Sequence, residues 1–230
     1  MKQFVCVFDF ETDDTDPKTC EPVQLAGLML SPQTLEIMEG SEFCIDMRPS
    51  DIDDEDYFTK HTSTINFHAK NYETTPENIY KKWKASIEQS TAWNQWIEYL
   101  SKWNKNQSNK TIWTAPIRAG HNIRNFDIPI MDRLCTKYKH VQKTGEQKIF
   151  YPRDVVDIKE LAFYWFEHLP EPKAYNMRDL RIYFGLSTEG SHDALVDIRD
   201  EAWMISRFLK LHRSQALKVK FKGSANKNDD

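Results

Sequence analysis

Residues 4–12 read Phe4-Val5-Cys6-Val7-Phe8-Asp9-Phe10-Glu11-Thr12, and this stretch decides the fold. The run is apolar on both faces up to Phe8, the pattern of a strand buried on both sides rather than a half-exposed hairpin strand. Asp9 and Glu11 close it. Side chains two apart on a strand project to one face, so the two acids point to one spot. Paired anions at the end of a buried strand are costly unless a cation or a proton neutralises them. A divalent metal does so most simply, because carboxylates suit Mg and Mn. Asp13, Asp14 and Asp16 follow, so on this stretch alone an acidic turn and a metal site both stand.

Outward from that strand, the pattern predicts a second apolar strand over residues 23–30 and a third over 43–47, forming an antiparallel meander with the first. Residues 50–56 read as a polar loop. Helical spacing begins at Pro76, with Ile79, Tyr80, Trp83 and Ile87. A second helix is expected from Thr91, carrying Trp93, Trp96, Ile97, Leu100 and Trp103 on one face. That stripe reads as core before it reads as a base-stacking platform. Residues 112–119 suggest another strand, with Pro116 arguing against a central place. Asp127 opens a helix with Pro129 in its first turn. Val155 and Val156 make a short strand, and Asp157 begins an aromatic-rich helix. A short helix over 175–184 stops at Gly185. The last long helix covers 193–212, with Ala194, Ile198, Ala202, Ile205 and Leu209 on its core face. Strands first and then alternating α and β elements predict a mixed sheet flanked by helices. The expected division is a domain over residues 1–213 and a polar, disordered tail over 214–230.

At 230 residues, 40% of them hydrophobic and seven of them Trp, the chain can bury a substantial core. The formal charge of −4 gives no overall basic footprint of the kind that coats duplex DNA. Four scattered cysteines without a Cys-x-x-Cys pair, and no signal peptide, are expected of reduced thiols in a cytoplasmic compartment. No apolar run reaches the length of a membrane span.

Acids recur downstream. Asp127 stands in Gly120-His121-Asn122-Ile123-Arg124-Asn125-Phe126-Asp127, and Asp197 in Gly190-Ser191-His192-Asp193-Ala194-Leu195-Val196-Asp197. Taken singly, an aspartate on a wet helix face or a histidine at a helix start is usually unremarked surface. Together, Phe-Asp-Phe-Glu-Thr, Asn-x-x-x-Phe-Asp and His-x-x-x-x-Asp in that order resemble the three motifs of the DEDD superfamily of 3′→5′ exonucleases, in its His-containing, DnaQ-like branch. The resemblance covers residues 4 to about 212. It implies an α/β, ribonuclease H-like fold: a mixed five-stranded sheet, its first three strands antiparallel, flanked by helices.

Carried over residue by residue, the resemblance implies that Asp9, Glu11, Asp127 and Asp197 hold two divalent ions, Mg²⁺ or Mn²⁺, and that His192 is the general base. Thr12 would lie near the terminal nucleotide's 3′ end, and Asn122 and Phe126 would support the substrate groove or Asp127. Independently of the resemblance, the aromatic Phe10 is expected to bind substrate by stacking on a frayed terminal base. Three residues separate Asn122 from Phe126 where many stand-alone members have two, a spacing familiar from polymerase proofreading domains. Two ions about 3.5–4 Å apart serve the attacking and leaving oxygens of phosphodiester hydrolysis; Asp9 would bridge them, with Glu11 and Asp197 on the nucleophile side and Asp127 on the leaving side. Imidazole suits the proton-accepting role of His192. His121, at a strand end, is expected to be a hydrogen-bonded structural residue. The expected partner is a nucleic acid with a 3′ end, single-stranded DNA favoured, with a DNA polymerase or a second copy of the chain as further partners and no membrane. Alternatives are a ribonuclease trimming short RNA and a non-catalytic module binding nucleic-acid ends or a polymerase.

Overall fold

A computed structural model describes residues 2–188 and 193–219 of the chain. Its sheet has the order β4-β3-β2-β1-β5-β6. β1 (Val5–Thr12), β2 (Pro22–Leu30) and β3 (Phe43–Arg48) form the expected antiparallel meander. β5 (Ile117–Gly120) runs parallel to β1, and β6 (Val155–Asp157) runs parallel to β5. To the five expected strands the structure adds β4 (Ile87–Glu88), two residues parallel to the end of β3. Ile87 therefore leaves the helix face on which its spacing placed it.

Period-two alternation along β1 divides the core. Cys6, Phe8 and Phe10 face one cluster with Trp93, Trp96 and Met131, contributed by α4 (Gln89–Lys102) and α5 (Asp127–Lys137). Val5 and Val7 face the other, with Ile198, Ala202 and Ile205 of α8 (Ala194–Ala216). α6 (Ile158–Phe166) and α7 (Met177–Phe184) complete that second layer. The tryptophan stripe is core, since Trp93 and Trp96 are fully buried. α7 stops at Gly185, whose φ of 69° is the left-handed conformation that glycine adopts without a Cβ penalty.

Three local expectations change. Residues 112–114 form a 3₁₀ turn, not strand; Pro116 lacks an N–H, and the strand starts only after it. Between β3 and β4 lie three helices, α1 (Tyr57–Lys60), α2 (Thr62–Asn71) and α3 (Pro76–Ala85), of which only the last was expected. They enclose a third apolar cluster with Ile52, Tyr57, Ile65 and Trp83 over Val23 of β2. α8 continues to Ala216, past the boundary expected at residue 213; residues 220–230 of the expected tail lie outside the described residues. Among the described residues no helix is long and apolar enough to cross a membrane.

Candidate metal centre

The site begins where the β1–β5 pairing stops. The two strands pair from Val5↔Ile117 to Val7↔Ala119, after which β5 ends at Gly120 and leaves the end of β1 uncovered on that edge. Phe10, beyond the last pair, donates its backbone N–H to Asp127 Oδ1 at 3.0 Å. Asp127 lies in the first turn of α5, so this bond pins the helix start to β1. Asp9 and Glu11 share a face with Val5 and Val7, the face that α8 covers. Asp197 comes from the first turn of α8, where the helix dipole favours a negative charge. Asp193 caps that helix, its Oδ1 accepting from Leu195 and Val196 N–H.

One carboxylate oxygen each from Asp9, Glu11 and Asp197 lie within 4.8 Å of one another. They line a cavity of about 430 Å³ together with Glu201, His121 and Arg181. Burial pushes Asp9 and Glu11 well above the usual carboxylate range, and neighbouring acids push further: chiefly Asp127 and Glu201 on Asp9, and Asp197 on Glu11. Asp127 is raised to about 7, again mainly by burial, against the hydrogen bond from Phe10 that favours its ionised form. A donor set made only of carboxylate oxygens is the chemistry of a hard divalent cation such as Mg²⁺ or Mn²⁺. The residues present fit such an ion.

The other expected site residues divide. Phe10 reaches the site through its backbone; its ring is buried in the opposite layer, edge-on to Phe8 at 6.2 Å, and cannot stack on a base there. The period that joins Asp9 to Glu11 puts Phe10 on the other face. Thr12 is buried and donates its hydroxyl to the Asp14 carbonyl at 2.6 Å. Asn122, at φ 52°, turns its side-chain oxygen to Asn125 and Lys159. Phe126 precedes α5 and packs, half-buried, against the Trp96 layer. His192 lies outside the described residues. His121 is hydrogen-bonded from Nε2 to the Tyr175 carbonyl at 2.7 Å, and burial lowers its pKa.

Sequence reasoning missed three participants. Arg181 of α7 donates to Asp197 and Asp200 from a site 3% exposed. Glu201 stands one turn beyond Asp197, inside the apolar stripe between Ile198 and Ile205, a position that itself signals a buried acid. His68 of α2 is buried behind Glu11, donating from Nε2 to the Thr12 carbonyl at 3.2 Å with Glu11 Oε2 at 4.0 Å.

A mixed sheet whose first three strands are antiparallel, flanked by helices on both faces and carrying carboxylates at the end of its central strand, is the ribonuclease H-like fold. Among solved structures, the chain is similar to exonuclease I. A structure describing how exonuclease I achieves processivity matches with TM-score 0.62 and 16% identity, over 92% of this chain and 44% of that one. E. coli exonuclease I in complex with a dT13 oligonucleotide matches at 0.61 and 14%, over 89% and 40%. Exonuclease I of Methylocaldum szegediense matches at 0.59 and 15%, also over 89% and 40%. The chain thus spans less than half the length of these proteins. No family model and no curated protein sequence matches it.

Proposed function

We propose that the chain is a divalent-metal-dependent 3′→5′ exonuclease acting on single-stranded DNA, of the His-containing branch. The observation that carries this is the convergence of Asp9, Glu11 and Asp197 oxygens within 4.8 Å, beside an Asp127 tied to the same strand. The likeness to exonuclease I, one of whose structures holds a zinc ion and single-stranded DNA, supports the substrate class and the use of a divalent ion. Asp9, Glu11, Asp127 and Asp197 would hold the metal. Bound there, it would supply Lewis-acid stabilisation of the charge that builds on the phosphate and a lowered pKa for the attacking water.

The chain's own groups do the rest. Arg178 shares the cavity wall with the carboxylates and offers a fork of donors suited to a phosphate oxygen. Arg181 is committed to Asp197 and Asp200 and orients the former. His192 is the proposed base, immediately preceding the Asp193 cap of α8 in the sequence. His121, held by Tyr175 and with its pKa pushed down by burial, keeps to a structural role.

The test is digestion of matched 5′-labelled single-stranded DNA, duplex DNA and RNA with Mg²⁺ or Mn²⁺. Shortening of single-stranded DNA from the 3′ end, release of mononucleotides, arrest by chelator and silence of Asp9→Ala are expected. Shortening from the 5′ end, or activity that survives chelation, overturns the reading. Preference for RNA would move the substrate class and leave the chemistry standing.

A further inference from the structure

Glu201 is 3% exposed, and its Oε2 has no hydrogen-bond partner. That oxygen lies 3.4 Å from where a β-carbon on Gly120 would stand, so the glycine leaves it room at the end of β5. Glu201 shares the cavity wall with Asp9, Glu11 and Asp197. The charges acting most on it are those of Asp127 and then Asp197, while the His121 backbone N–H favours its ionised form.

A buried carboxylate oxygen facing other carboxylates is unstable without a cation or a proton between them. Were Glu201 merely a protonated core residue, its Oε2 would be expected to meet an acceptor, and it meets none. Arg181 bonds Asp197 through Nη2 and Asp200 through Nε, and although its charge favours ionised Glu201 it makes no hydrogen bond to Oε2. We infer that Glu201 is a fifth metal-holding carboxylate, its unpartnered Oε2 serving the cavity that Asp9, Glu11 and Asp197 line. The inference rests on the metal-dependent reading above.

Titration of the metal-free full chain with Mn²⁺ alone, by calorimetry and by the Mn²⁺-induced rise in Tm, tests it. The expected result is that Glu201→Gln, which keeps the volume and removes the charge, weakens one Mn²⁺ binding event by at least the roughly 10- to 100-fold that losing an outer-shell partner costs. Its Mn²⁺-induced Tm rise should shrink to match. Glu201→Asp keeps the charge and should lose less, and it serves if the amide variant folds poorly. Mn²⁺ binding unchanged in Glu201→Gln but lost in Asp9→Ala overturns the role of Glu201 and leaves the metal site standing. A wild-type chain that binds no Mn²⁺ overturns both.

Discussion

Arg181 Nη2 donates to Asp197 Oδ1 at 2.7 Å, with the arginine side chain only 3% exposed and the aspartate 14% exposed. The same guanidinium reaches Asp200 through Nε at 2.8 Å, so one residue of α7 clamps two acids of α8. Removing one partner of such a buried pair strands the other charge, at a cost of about 3–5 kcal/mol. Arg181→Leu should therefore lower stability by roughly that amount in urea unfolding. Adding Asp197→Asn should recover part of the loss, because the stranded charge goes too. A single-variant loss below about 1 kcal/mol would show the pair to be solvated and weak.

Gly27 of β2 lies under the Trp96 ring. A β-carbon there would come within 2.7 Å of two ring atoms, and Trp96 is itself packed against Phe43 and Tyr99. The ring cannot retreat without moving that layer. Gly27→Ala should cost about 1–3 kcal/mol, the range for overpacking a filled core. Gain of stability from the substitution would mean that the Trp96 layer is loosely packed.

Asp9 and Glu11 could be placed together from sequence because the strand period is two, and the same rule, applied to Phe10, assigns its ring to the layer of Cys6 and Phe8. The expectation that an aromatic beside the acids stacks on a base set that rule aside for Phe10. Asp127 and Asp197 required the resemblance, since nothing local separates either from a surface acid. Glu201 escaped notice within the charged run Arg199-Asp200-Glu201, although its spacing from Ile198 and Ile205 lies on the buried stripe. The α1–α2 insert was illegible for a different reason. Its buried positions include His61 and His68, so polar residues occupy the face where apolar ones would have revealed a helix. The two-residue β4 carries no period at all.

Asp13, 1% exposed, accepts from Tyr57 Oη at 2.8 Å and from the Glu21 N–H at 2.7 Å. Burial raises its pKa, and the Tyr57 hydroxyl opposes that by favouring the carboxylate. Tyr57→Phe should cost about 1.5–3 kcal/mol where Asp13 is ionised and less where it is protonated. The difference in urea stability between variant and wild type should accordingly widen as pH rises above the ordinary carboxylate range and Asp13 ionises. A constant difference would mean that the hydroxyl acts through packing of the insert and not through Asp13.

The carboxylate cluster sets the pH dependence of the metal-free chain. Asp127 is raised from 3.8 to about 7, and Asp9, Glu11 and Glu201 are raised in the same direction. For such groups the unfolded chain gives up its protons first, so between about pH 4 and 7 the folded state binds more of them and stability falls as pH rises. Their favourable contribution is fully present below pH 4 and lost as pH climbs through 7. Without metal, Tm should drop between pH 5 and pH 8. Asp127→Asn should flatten the drop, and Asp9→Ala should melt above wild type at pH 8 because it relieves crowding among anions. Saturating Mg²⁺ or Mn²⁺ binds only the folded state and adds about 2.7 kcal/mol at a hundredfold excess over Kd, so the wild type should regain the lead and Asp9→Ala should not. A metal-free Tm that rises with pH over this interval, or an Asp9→Ala chain less stable than wild type at pH 8, would show that these acids are not held together as anions.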